Sequence, residues 1–259
     1  MTPPAAPKDR RFVTALARGL ELLRAFGPGD RWLGNRELAA RTGLPRPTVS
    51  RLTHTLTALG YLRHAPEREQ YALGPAVLSL GYAMLGQLDA RRVARPLMQA
   101  LAEHAGVSVN LGVRDRLGMV YLDTYRSAST FALQLEAGAR IPIASTSMGR
   151  ALVCGLPDPA RRALLEELRA DAGAGWPAVK KALDRAQRDF KAHGLCFSLG
   201  DWRKEVHAVA APLVTGDGEV LVFSASGAAF QTGRERLERE LGPRLKNLVD
   251  NVRSALRHG

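Results

Sequence analysis

Leu16, Leu20, Leu23 and Phe26 recur at spacings of four and three, which puts them on one stripe of a helix over about Thr14 to Phe26. Gly27-Pro28-Gly29-Asp30 ends that helix. Trp32-Leu33-Gly34 has the length of a small strand. Asn35 is a capping residue type and opens a second helix over Arg36 to Thr42, with Gly43 suited to the left-handed turn that stops it. Leu44-Pro45-Arg46-Pro47 starts a third helix that runs to about Leu59, because proline is tolerated in a first turn whose N–H groups lack intrahelical partners. Val49, Leu52, Leu56 and Leu59 form its apolar stripe. Tyr61 to His64 and Tyr71 to Gly74 flank a charged turn, Ala65 to Gln70, and predict a two-stranded hairpin.

Beyond Pro75 the pattern is helical to about Ala105, read as a connecting helix over residues 76–92 and then the first helix of a second domain. Val77, Leu78, Gly81, Leu85 and Leu88 give the connecting helix more apolar surface than one monomer needs. Val107 to Val113 and Met119 to Thr124 predict a hairpin, and Phe131 to Leu135 a third strand. Met148 to Cys154, Pro159 to Arg169 and Ala178 to His193 read as helices. Val206 to Val214 and Val220 to Ala225 read as strands joined by Thr215-Gly216-Asp217-Gly218, a hairpin signal. Arg234 to Leu256 is a closing amphipathic helix. Strands in hairpins with helices beside them predict an α+β domain, an antiparallel sheet flanked by helices. The expected division is a disordered Pro-, Ala- and charge-rich tail over 1–11, a first domain over 12–75, the connecting helix, and a second domain over 93–259.

Charge sharpens this picture. The chain of 259 residues has a formal net charge of +12. Residues 1–75 hold 12 Lys and Arg against 6 Asp and Glu, half of the excess in less than a third of the length. A dense basic module suits a polyanion, because each neutralised phosphate releases counterions. Apolar runs such as Val220 to Phe223 are far too short for a membrane span, the N-terminus lacks a signal-peptide pattern, and two cysteines make no disulfide framework. These features point to a cytoplasmic protein. Six histidines and two cysteines show no metal-ligand spacing, so neither metal nor cofactor is expected. No Gly-x-Ser-x-Gly elbow is present, and Cys154 lies in the apolar stretch Ala-Leu-Val-Cys-Gly-Leu, which reads as an inert thiol. An enzyme, such as a hydrolase using Cys154 with His207, is therefore the weaker reading.

Helix, glycine turn, helix and hairpin in that order form the winged helix-turn-helix plan. Ala39, Leu44, Val49 and Leu52 would fix the two helices, leaving free a face with Arg46, Pro47, Thr48, Ser50, Arg51, His54 and Thr55. Arginine reads guanine edges, serine and threonine either base type, and histidine a phosphate. Arg63, His64 and Arg68 on the hairpin would touch phosphate or the minor groove. The expected partner is double-stranded DNA. A ligand-independent architectural DNA-binding protein is the competing reading at this point.

The same stretches carry a resemblance. Ala17-Arg18-Gly19-Leu20, the run from Glu37 to Leu52, Leu59-Gly60-Tyr61-Leu62 and Tyr71-Ala72-Leu73-Gly74 closely resemble the IclR family of bacterial regulators. Ser147-Met148-Gly149-Arg150-Ala151-Leu152, Val209-Ala210-Ala211-Pro212-Leu213 and Phe223-Ser224-Ala225-Ser226-Gly227 extend it, so that it covers about residues 12 to 259. The resemblance implies a C-terminal GAF-like effector domain. It also implies a homodimer or dimer of dimers on a near-palindromic operator, repressing or activating a catabolic operon. It places the effector at Ser147, Met148, Pro212, Ser224 and Ser226, with Ser145 and Thr146 just before that helix. A helix N-terminus with hydroxyls suits a carboxylate. Met148 and Pro212 depart from the family pattern toward bulk and apolarity, which favours an aromatic or other hydrophobic acid as the small organic effector. Asp201, Trp202 and Arg203 form a further cluster that either borders that pocket or lies in an exposed loop.

Overall fold

The computed structural model describes residues 10–27, 29–127 and 135–258. Most of the expected tail, Pro28 of the first turn and most of the expected strand at Phe131 to Leu135 lie outside the described residues. The chain divides into two compact units, Met1–Gln87 and Leu88–Gly259.

The first unit runs α1 (Thr14–Arg24), β1 (Leu33–Gly34), α2 (Asn35–Thr42), α3 (Arg46–Ala58), β2 (Leu62–Ala65), β3 (Gln70–Leu73) and α4 (Pro75–Gly86). β3 lies between β1 and β2, antiparallel to both. Its core is Leu22, Leu33, Leu38, Val49 and Leu62, with Ala39, Leu44, Leu52 and Leu56 packed against it. Two apolar stripes are buried differently from the expectation. Leu16 and Leu20 are exposed, and α1 buries Gly19 and Leu22 instead. Leu59 is also exposed, because α3 ends before it; Thr53 takes the buried position and donates to the Ser50 carbonyl at 3.0 Å.

Turn chemistry holds this unit together. Gly43 has φ +69° and stops α2. Gly34, rather than Asn35, precedes α2, and its N–H donates to the Glu37 carboxylate at 2.8 Å. At the root of the hairpin the Gly74 N–H donates to the Tyr61 carbonyl at 2.8 Å. A Cβ at Gly74 would stand 2.1 Å from the Gly60 carbonyl oxygen, so no other residue fits that crossing. The long helical stretch after Pro75 is two helices, broken at Gln87-Leu88.

The second unit continues with α5 (Asp89–Ala105), β4 (Ser108–Asp115), β5 (Gly118–Arg126), β6 (Arg140–Pro142), α6 (Ser147–Gly155), α7 (Asp158–Ala172) and α8 (Trp176–His193). There follow β7 (Cys196–Leu199), β8 (Val206–Val214), β9 (Val220–Ala228), a first helical turn α9 (Arg234–Arg236) and, after a π-helical turn, α10 (Gly242–His258). β6 and β7 were not marked by the hydrophobic pattern; both are short. The six strands form one antiparallel sheet in the order β6-β5-β4-β9-β8-β7. Strand alternation sends Val109, Leu111, Val209 and Phe223 to one face, all fully buried, where α5 and α10 pack. The opposite face carries Ser108, Asn110, Gly112, Ser224, Ser226, Ala208 and Pro212 in register. Helix α6 lies across that second face, and α7 and α8 cover it.

Two glycines seat α6. A Cβ at Gly149 would come within 2.2 Å of the Ile143 backbone. At the other end a Cβ at Gly155 would meet Pro212 at 2.7 Å. Close backbone approach therefore fixes where the helix begins and ends over the sheet.

Candidate nucleic-acid interface and ligand cavity

Pro45 and Pro47 preset the first turn of α3, and Val49, fully buried, holds its inner side. The outer side then presents Arg46, Pro47, Ser50, Arg51 and His54 as exposed residues, with Thr48 half-buried at the edge. Neither Arg46 nor Arg51 has a carboxylate partner among the described residues. Thr55 differs from them, since its hydroxyl donates to the Arg51 carbonyl at 3.0 Å and is spent on its own helix. The wing residues Arg63, His64 and Arg68 are exposed as well. Arg63 lies 5.8 Å from the Trp32 ring centre, and His64 stacks on its cross-strand partner Tyr71 at 4.7 Å. Arg68 lies beside Glu67 at 3.9 Å in solvent, a contact worth little. The module thus offers a polar, cationic helix face beside a cationic hairpin.

In the second unit a cavity enclosing about 580 Å³, part of it open to solvent, lies between the sheet and the start of α6. Its floor is polar. Asn110 is buried, its amide nitrogen 3.3 Å from the Ser224 hydroxyl and 3.4 Å from that of Ser226. Its carbonyl oxygen accepts from Thr124 at 2.7 Å. The Ser108 hydroxyl faces the same cavity, is buried, and has no hydrogen-bond partner among the described residues. A buried hydroxyl left unpaired costs about 1–3 kcal/mol and calls for a partner. Thr146 caps α6: it accepts from the Gly149 N–H at 3.1 Å and donates to the Pro142 carbonyl at 2.6 Å. Tyr121, Ile141, Met148 and Val206 add apolar wall, and burial pushes the Tyr121 hydroxyl's pKa far up, keeping it a neutral donor.

Trp202 and Arg203 complete the wall, with the Arg203 guanidinium 5.0 Å from the Trp202 ring centre. No carboxylate pairs with Arg203 among the described residues. The loop that carries them is tied down by Arg150, which is 2% exposed. Arg150 donates to the Phe197 carbonyl at 2.8 Å, to the Ala144 carbonyl at 3.2 Å and to Asp201 at 2.7 Å, and Arg185 reaches Asp201 at 3.1 Å. Partial burial pushes the Asp201 carboxyl up, but the Arg150 hydrogen bond and the charges of Arg150 and Arg185 outweigh it and hold it below the usual carboxylate range.

Of the residues expected at a ligand site, Thr146, Ser147, Met148, Ser224 and Ser226 line this cavity. Two do not. Pro212 shares the sheet face but sits under Gly155, at the far end of α6, and gives the cavity no wall. Ser145 stands outside the lining and contributes only its carbonyl, which accepts from Ser198 at 3.0 Å. Ser108, Asn110, Tyr121 and Ser198 were not anticipated. Ser108 and Asn110 left a signal, two polar residues at a spacing of two within the otherwise apolar run Val107 to Val113. Among the described residues no group of three or more His, Cys, Asp or Glu could hold a metal ion, and no helix is long and apolar enough to cross a membrane.

Comparison with known proteins places both units. The IclR helix-turn-helix domain matches residues 15–66, and the bacterial transcriptional regulator IclR C-terminal domain matches residues 82–254. The chain belongs to the IclR family. It is 35% identical over 249 residues to the HTH-type transcriptional regulator TsaQ1/TsaQ2 of Comamonas testosteroni, covering 95% of this chain and 89% of that protein. It is 30% identical over 242 residues to the Pca regulon regulatory protein of Pseudomonas putida, covering 91% and 81%. The crystal structure of an IclR family transcriptional regulator from Brucella abortus superposes with a TM-score of 0.87 at 49% identity, covering 96% of this chain and 94% of that one. This IclR-type chain is accordingly a transcriptional regulator with a helix-turn-helix DNA-binding domain, and not an enzyme.

Proposed function

We propose that this regulator recognises its operator through Arg46, Pro47, Thr48, Ser50, Arg51 and His54 of α3, with Arg63, His64 and Arg68 of the wing on the flanking backbone. We further propose that a small organic acid held in the second unit's cavity sets its DNA affinity. The observation that carries the second reading is the cavity itself: a hydroxyl without a partner and a guanidinium without a carboxylate, both among the described residues, converge with a polar floor on one space. Arg203 and the α6 N-terminus suit a carboxylate, and Tyr121, Trp202 and Met148 suit an aromatic or other apolar body. An effector coupled by 1–3 kcal/mol would change DNA affinity by roughly 5- to 150-fold.

The reading extends to a cytoplasmic homodimer, or dimer of dimers, on a near-palindromic operator. Helix α4 supports it, since none of its residues is buried and Leu78, Leu80, Tyr82 and Met84 are 41–64% exposed. So much apolar helix surface is characteristic of an interface. The test is a DNA-binding shift on the protein's own upstream intergenic region, with unrelated competitor DNA and a panel of aliphatic and aromatic acids. Specific retardation that changes with a member of the panel is the expected result. Retardation abolished equally by competitor, or indifferent to every acid, would overturn the ligand-responsive reading in favour of an architectural binder.

A further inference from the structure

The chain has two cysteines, and the fold brings them together. Cys154 lies in the last turn of α6 and Cys196 opens β7. The Cys196 thiol points at the Cys154 sulfur, 3.7 Å away, and is 3.8 Å from the Ala186 carbonyl oxygen. Cys196 is buried, whereas Cys154 is half-buried. The two sulfurs are chemically unlike. The hydrogen bond from Cys196 draws the Cys154 thiol below its ordinary range, against burial, and the Arg161 charge helps. The same bond and burial push the Cys196 thiol well up. A sulfur on the less buried residue, inclined to thiolate and in contact with a protonated thiol, is the arrangement of an attacking and a resolving cysteine.

We propose that Cys154 and Cys196 are a peroxide-oxidised pair that closes to an intramolecular disulfide between α6 and β7. The Cys154 thiolate attacks one oxygen of a hydroperoxide. The O–O bond breaks, the alcohol or water leaves after taking a proton, and Cys154 becomes a sulfenic acid. Cys196 then attacks the Cys154 sulfur, the S–O bond breaks, and hydroxide leaves as water with the Cys196 proton. Two thiols lose two electrons, and the peroxide gains them. Closure brings the sulfurs from 3.7 Å to a bond of about 2.05 Å and ties the end of α6 to the start of β7. Ser147 and Met148 at the other end of α6 line the cavity, so the bond acts on an element of its wall.

The experiment treats the reduced, folded, full-length protein with hydrogen peroxide and reads its intact mass and peptide map. The expected result is loss of the mass of two hydrogens per chain, reversed by dithiothreitol, with a linked peptide pair containing Cys154 and Cys196. Cys196→Ser should instead accumulate a sulfenic acid at Cys154 that dimedone traps. Thiols that stay free at peroxide levels oxidising cysteine in a short peptide, a bond joining two chains, or independent over-oxidation of each sulfur would each overturn the proposal. The wild-type map decides without the variant, should Cys196→Ser fail to fold.

Discussion

Single side chains carry the sharpest consequences. Arg51 is exposed on the outer face of α3 and has no carboxylate partner among the described residues. Arg51→Ala is expected to weaken specific DNA binding by about 1–3 kcal/mol if it reads a base, or to lower the salt slope by about one if it meets a phosphate. A binding titration at several salt concentrations separates the two. Ser108 behaves in the opposite way without ligand. Its hydroxyl is buried and unpaired among the described residues, so Ser108→Ala should leave the free protein's melting temperature unchanged or raised, while effector affinity falls by about tenfold. Thermal melts with and without the effector test both halves of that statement. Asp201 makes a pH-dependent contribution. Its carboxyl pKa is lower in the folded chain than in the unfolded one, so its stabilisation is present above the ordinary carboxylate range and is lost as pH falls through the folded value. Asp201→Asn should destabilise the protein by about 1–3 kcal/mol near neutrality, and the gap from wild type should close in acid. Urea unfolding across that range reads it.

At the scale of elements, close backbone approach decides what α6 can do. Gly149→Ala places a methyl where the Ile143 backbone already stands, and is expected to cost about 1–3 kcal/mol or more in chemical denaturation. Periodicity made most elements legible. The helix-turn-helix, the hairpin with its charged turn and the β8–β9 pair all follow from spacing and turn residues. Two things were not legible. A stripe of leucines shows that a helix has an apolar side, not that the side is buried by its own unit: Leu16 and Leu20 fit the stripe and lie in solvent, while Leu22, two positions after Leu20, is the core. Nor does local sequence show which residues share a sheet face across 114 positions, as Asn110 and Ser224 do. The family resemblance supplied Ser224 and Ser226. Strand register supplied Ser108 and Asn110, and it also removed Pro212, which lies further along the same face beneath the opposite end of the helix.

For the whole molecule, charge and apolar surface divide the work. The basic excess concentrated in residues 1–75 serves affinity that salt will weaken. On the proposed reading, the exposed side of α4 serves association. Leu78→Asp with Tyr82→Asp should shift sedimentation from dimer toward monomer, since two desolvated carboxylates would face each other across a symmetric contact. Operator binding should weaken with it, because two half-sites need two helices held together.

Gly112 lies on β4 beneath Met148, and a methyl group there would fall 2.5 Å from the methionine sulfur. The thioether would have to give way, and Met148 is part of the cavity wall. Cavity size is thus governed from below, by a position outside the cavity lining. If the cavity holds an acid as proposed, a lineage drifting at residue 112 between glycine and alanine would change which acids it answers to without altering any residue that touches them, so new sensors can arise from a site where ligand-contact maps would never look.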